Sequence, residues 1–442
     1  MKSMIAFVAV LAGVACGVDS ASNLPMSAAS RVSGAAPLSV FFDAVDTSAP
    51  PWKSGVIQPE DGDPSSCDYV WSFGDPKSGA WPNSGRSRDE AFGPVAAHVY
   101  QTPGVYTVTL KVTDKAGKRK VFSQKIQVLP PAAPCFFLSA SAGNDAADGK
   151  TPQTAWRSLE RARKVLEKGG VGVYLKRGDT FPLAGDALSL SGEGGGQLGA
   201  YGPGEPPVIK VEGRGGGVGV FGDDWRITDL RFVGPGEGEQ SAVFFNVMKP
   251  VKNTLLQRVS ATGFRVGLGW GDHTPIYGTP HDANTMAECE VFGCPVNGIY
   301  VGGRRLALLG NTVRDIPQSH VARVWQAHKA VIQHNAFKNP GPERHALKLH
   351  GPANGDGRHP TQHVVVSDNV FVGKTWTISV GPQNAVSDER VSHVLFERNR
   401  TFASETVQVD LHVAARHVTV RSNVFSGTGS ARYYAAVEVV RR

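Results

Sequence analysis

A short strand-like segment recurs through the second half of the chain, each time leading to an Asn with an apolar residue two places on. The pairs are Asn311/Val313, Asn335/Phe337, Asn369/Phe371 and Asn423/Phe425, with Asn399 closely similar. Successive Asn residues lie 24, 34, 30 and 24 residues apart. Such a unit cannot bury its apolar face alone, so neighbours must stack. Versions without the Asn occupy 227–234, 255–263 and 286–293. In 344–351, Leu347 and Leu349 alternate with Lys348 and His350, the two-residue period of a strand with one inner and one outer face. The pattern predicts a parallel β-solenoid of about eight turns from Val208 to the strand at Val437–Val440. The Asn column reads as a ladder of stacked amides at a turn, where Asn also tolerates left-handed backbone.

Length and charge set the remaining bounds. A chain of 442 residues accommodates two domains, and 52 glycines suit a turn-rich β protein. The formal charge of +7 admits an acidic partner, but no run of like charge points to nucleic acid or a membrane surface. Residues 1–21 read as an export signal: Lys2, an apolar run from Met4 to Ala15 too short to span a bilayer, then Cys16. Gly13-Val14-Ala15-Cys16 resembles a bacterial lipoprotein cleavage box, with Gly13 where that box usually has Leu. The chain is therefore expected outside the cytoplasm, secreted, periplasmic or lipid-anchored through Cys16. Export permits disulfides among Cys67, Cys135, Cys289 and Cys294, and Cys289–Cys294 is locally feasible.

Residues 22–130 form a first unit. Tyr69-Val70-Trp71-Ser72-Phe73-Gly74-Asp75, His98-Val99-Tyr100 and 103–114 alternate aromatic and β-branched residues between turns, as in a small β-sandwich. These stretches resemble a PKD (polycystic-kidney-disease) domain, a module that the resemblance implies serves as a spacer or weak glycan contact. Trp71 and Tyr106 read as core aromatics, and 81–92 as a polar loop. The prolines of 131–134 make a stiff linker. Residues 135–442 then form the solenoid, opened by a helix starting near Thr154 with Leu159, Ala162 and Leu166 on one face. This opening resembles that of secreted right-handed parallel β-helix proteins of pectate-lyase type, whose helix covers the first strand edge. The fold class expected is all-β.

Chemistry is expected on one strand of each coil. Aligning 298–301, 322–325, 347–350, 378–380 and 407–410 turns Ile299, Val324, Leu347, Leu349, Ile378, Val380, Val407 and Val409 inward. The outward column becomes Tyr300, Arg323, Lys348, Ser379 and Gln408, with Trp325, His350 and Asp410 one step along. Neighbouring rungs lie about 4.8 Å apart, so Arg323 and Lys348 present two cations side by side. Folding alone does not favour that repulsion; an acidic ligand relieves it. Arg344 and His345 stand at the mouth of the same strand. The face resembles the sites of β-helix polysaccharide lyases, which abstract the C5 proton of a uronate and expel the 4-linked sugar. That resemblance implies Lys348 as base and Arg323 as carboxylate binder. It makes His350, Arg344 or Tyr300 the acid, Trp325 a sugar-stacking ring, and His345 and Asp410 further substrate contacts.

Two alternatives accompany this expectation: a non-catalytic glycan-binding or adhesive protein using the same face, and a β-helix hydrolase. Gly222-Asp223-Asp224 matches one element of polygalacturonases, but the accompanying elements are absent. No cofactor is required by the sequence. Asp272, Asp282 and Asn284 are oxygen ligands that could hold Ca²⁺, although turn formation explains them as well. The loop 354–360 is placed to wall a cleft beside Lys348. The partner expected is an acidic polysaccharide, and the protein is expected to be a monomer.

Overall fold

The computed structural model describes residues 22–23, 28–45, 66–131, 134–213, 215–236, 240–270, 280–351, 361–374, 376–381, 391–403, 407–411, 415–427 and 430–433. The segment read as an export signal, the strand expected at 437–440, Asp272 and the loop expected at 354–360 lie outside these residues.

From Cys135 the chain winds into a right-handed parallel β-helix. Each coil adds one strand to each of three faces. The third face is a sheet of ten short strands, among them Thr312–Arg314, Ala336–Lys338 and Val370–Gly373. The first and second faces are joined through long strands such as Ala322–Gln333, which turns its corner at Gln326 with φ 49°. All rungs pair in parallel, and one continuous apolar core fills the cylinder. The helix Leu159–Leu166 buries Leu159, Ala162 and Leu166 against the first coils, as its stripe predicts. Asp145, rather than the preceding Ser158, caps it by accepting from the Arg157 and Ser158 amides at 2.8 and 3.0 Å.

The asparagines do form a ladder. Nδ2 of Asn311, Asn335, Asn369 and Asn399 each donates to Oδ1 of the next Asn at 2.9–3.0 Å. The left-handed residue, however, is the one before each Asn: Gly310, His334, Asp368, Arg398 and Ser422, with φ of 53–64°. The turn strain thus falls on varied residues, and the Asn supplies the hydrogen bonds that hold them there. Cys289 and Cys294 are free thiols, so their feasible pairing is not formed. Cys289 and Cys294 instead pack in the apolar core, where burial pushes their thiols up to about 12 and 11.

The amino-terminal unit pairs Leu38–Asp43 with Val95–Tyr100, and Asp68–Ser72 with Gly104–Thr113 and Glu90–Phe92. Trp71 is fully buried, and Tyr106 packs at the edge of this core. The unit is not held away from the solenoid as a spacer. Phe41, Trp81, Val95, Ala97 and Val99 close over Leu255, Ala287, Ala307, Leu309, Val331, Val365 and Leu395 on the outside of the second face. Residues 81–92, expected as a loop, are the arm that docks. Trp81 stacks on His334 at 5.2 Å, Arg88 pairs with Glu288 at 2.5 Å, and Arg86 with Asp368 at 2.6 Å. Lys329 ion-pairs with Asp43 across the same junction.

Candidate functional site

The first face carries the column that the sequence singles out. Val324, Leu347, Leu349, Ile378 and Val380 point into the core. Tyr300, Arg323, Lys348 and Ser379 stand at matching positions on adjacent strands. Asp410, not Gln408, occupies the next rung opposite Ser379. That two-residue shift keeps the same face and brings Asp410 into the column of Arg323 and Lys348.

The column is largely buried rather than an open surface. Arg323 is half-buried, while Lys348 is only 7% exposed and Ser379 is buried. Lys348 therefore stands on the outward register that alternation assigns it, but not in open solvent. The Arg323 guanidinium lies 4.8 Å over the Tyr300 ring and donates from Nε to His350 Nε2 at 3.0 Å.

That hydrogen bond bears on the role expected of His350. An arginine N–H always donates, so His350 Nε2 must be the unprotonated nitrogen, and the ring is neutral with its proton on Nδ1. At 1% exposure His350 is buried against the Arg323 guanidinium. Trp325 is likewise no open platform. It is 9% exposed, with its ring 6.1 Å from both Tyr300 and His350, so it fills the wall. Arg344 is exposed at the mouth.

His345 is buried and faces a residue that the sequence analysis missed. His320 Nδ1 accepts from the His345 backbone N–H at 3.1 Å and meets His345 Nδ1 at 3.2 Å, with the two rings stacked at 5.0 Å. Burial, with His345, Lys348, Arg323 and Arg344 close by, pushes His320 down to about 2, so it stays neutral. A signal existed: His320-Val-Ala-Arg323 and His345-Ala-Leu-Lys348 repeat a His three places before each cation. The solenoid stacks that repeat in register.

The calcium expectation is not met by the described ligands. Asp282 is neutralised by Arg304 and Arg305 at 2.7 and 2.5 Å, and Asn284 is committed to the backbone of Thr254 and Val251. Among the described residues no three His, Cys, Asp or Glu side chains are grouped to hold a metal ion. The Gly222-Asp223-Asp224 element is also structural. Asp224 pairs with Arg31 of the amino-terminal unit at 2.5 Å, and Asp223 accepts from the Lys252 amide.

These features define a PKD domain docked on a right-handed parallel β-helix that carries Arg323 and Lys348 on adjacent strands of one face. Residues 42–128 match the family model described as the PKD domain. No curated protein matches the sequence. Among solved structures, the GH136 lacto-N-biosidase from Eubacterium ramulus is similar in fold. It is 12% identical with a TM-score of 0.50, over 69% of this chain and 68% of that one. The Yersinia enterocolitica family 28 exopolygalacturonase is 12% identical with a TM-score of 0.47, over 92% of this chain and 80% of that one. Pectate lyase Pel9A is 14% identical with a TM-score of 0.43, over 66% and 78%.

Proposed function

We propose that the protein is an exported enzyme that cleaves an acidic, uronate-containing polysaccharide by β-elimination at Arg323 and Lys348. The observation that carries this reading is the register of Arg323 and Lys348 on adjacent strands, about 4.8 Å apart, with Tyr300 one rung below. A uronate carboxylate suits the planar fork of the Arg323 guanidinium, and Lys348 stands one rung away to meet the neighbouring C5–H.

The chemistry follows from that placement. Arg323, aimed by His350, neutralises the carboxylate and makes the adjacent C5–H more acidic. The neutral amine of Lys348 takes the C5 proton; burial and a neighbouring cation both favour the neutral form of an amine. The electron pair forms the C4–C5 double bond, the C4–O bond breaks, and the Tyr300 hydroxyl gives its proton to the departing oxygen. The hydrolase alternative loses its one sequence pointer, because Asp224 is engaged with Arg31.

The test is to incubate the purified protein with alginate, pectate and glycosaminoglycans while following ultraviolet absorbance from unsaturated uronate. Product that disappears in Lys348→Ala and Arg323→Ala supports elimination. New reducing ends without unsaturation would instead mean hydrolysis, and binding without product an adhesive protein.

A further inference from the structure

The column that holds Arg323 and Lys348 continues toward the amino-terminal coils. Strand pairing places Gly219 opposite Phe244, then Val243 opposite Leu268, and Gly269 opposite Tyr300. One outward line therefore runs Gly219, Phe244, Gly269, Tyr300, Arg323, Lys348. Phe244 stands two rungs from Tyr300 and four from Lys348, a span of roughly 19 Å.

Two glycines shape this stretch. A Cβ on Gly219 would sit 2.5 Å from the Phe221 ring and 3.0 Å from that of Phe244, so only a bare backbone lets both rings lie over the sheet. Their centroids are 6.2 Å apart, edge to face. Gly269 leaves the line without a side chain between Phe244 and Tyr300. Phe221 is 41% exposed and Phe244 half-buried. Folding gains nothing from leaving the Phe221 ring in water with Phe244 half-buried beside it, on the line that carries Arg323 and Lys348.

We propose that Phe221 and Phe244 are a sugar-stacking platform that extends this column. On this proposal an acidic polysaccharide lies along the solenoid axis, with one sugar face on the rings and a uronate carboxylate between Arg323 and Lys348. The inference rests on the acidic-polysaccharide reading above and adds the direction and length of the bound chain. The occupant is argued from continuity, since apolar rings and cations share one register. Aromatic faces carry negative charge density and attract the C–H groups of a pyranose ring. A second copy of this chain would have no use for the adjoining cations.

The experiment compares wild type with the Phe221→Ala/Phe244→Ala double variant. It measures binding and cleavage of polyuronates and of short uronate oligomers, with thermal melts to confirm folding. Loss of about tenfold in affinity for the polymer, with short oligomers bound and cut as before, is expected. Phe244→Tyr, which keeps the ring, should restore polymer binding. Unchanged polymer affinity in the double variant overturns the platform while leaving the elimination reading intact. If wild type cuts no polyuronate, the elimination reading fails. The platform then stands only if wild type retains immobilised polyuronate that the double variant releases. Concentration-dependent self-association abolished in the double variant would show that the patch joins copies of the chain, and would overturn the proposal.

Discussion

Replacing Asn369 with Ala tests how the solenoid is held together. Its Oδ1 accepts from the Asn335 backbone N–H at 2.9 Å and from Asn335 Nδ2 at 2.9 Å. Its Nδ2 donates to the Ile332 carbonyl at 2.8 Å and to Asn399 Oδ1 at 2.9 Å. The site is buried, so no solvent replaces these partners. The Asn335 backbone N–H is left without an acceptor, at about 1–3 kcal/mol, and three further hydrogen bonds are lost at about 1 kcal/mol each or less. We expect roughly 3–5 kcal/mol, a large share of the 5–15 kcal/mol typical of a folded domain. Asn423 makes equivalent bonds to Asn399 but is only partly buried at the last described rungs, so water can substitute. Asn423→Ala should cost about 1 kcal/mol or less. Urea unfolding followed by tryptophan emission reads both. Equal midpoints for the two variants, or a loss under about 1 kcal/mol for Asn369→Ala, would refute a ladder of buried amides as the fold's fastener.

Other expectations concern the junction and pH. Trp81→Ala removes a ring clamped between His334 and the Arg88 guanidinium; it should cost about 3 kcal/mol, and hydrogen exchange should show the amino-terminal unit losing protection first. Burial, with His393, His328 and Lys329 nearby, lowers His363 to about 2 against 6.5 when unfolded. Its contribution is therefore present above pH 6.5 and is lost as pH falls, because the unfolded chain takes up a proton that the folded one refuses. By pH 5 the loss is about 2 kcal/mol, and His363→Gln should flatten the stability curve there. Burial raises Asp282, but hydrogen bonds from Arg305 and Arg304 outweigh it and hold the carboxyl below its ordinary 3.8. That stabilisation is present above pH 3.8 and fades as acid protonates the folded carboxyl, so Asp282→Asn should blunt acid unfolding near that end.

Much of the architecture was legible because the solenoid repeats its constraints. Each Asn and its following apolar residue report one turn, and alternation in Leu347-Lys348-Leu349 reports the inner and outer faces. The pairing of Arg323 with Lys348 followed from that alternation. Gln408 was misplaced because the spacing between coils varies; a two-residue slip keeps the same face outward, so alternation could not reveal it. The docked face was present in the sequence in another form. Ala307-Leu308-Leu309, Val364-Val365-Val366 and Val394-Leu395-Phe396 are apolar without alternation, the mark of a strand buried on both sides. Nothing local could say that Trp81 would be the residue to cover it, since that contact joins positions far apart in the chain. The neutral state of His350 was likewise out of reach, because it depends on the direction of one hydrogen bond from Arg323.

Recognition of a uronate carboxylate by Arg323 is the claim on which the proposed function stands. The most direct measurement is the affinity of the protein for a polyuronate and for the same polymer after chemical reduction of its carboxyl groups. The account predicts that wild type binds the native polymer at least about tenfold tighter, and that Arg323→Ala erases the difference. Equal affinity of wild type for the two polymers would contradict it.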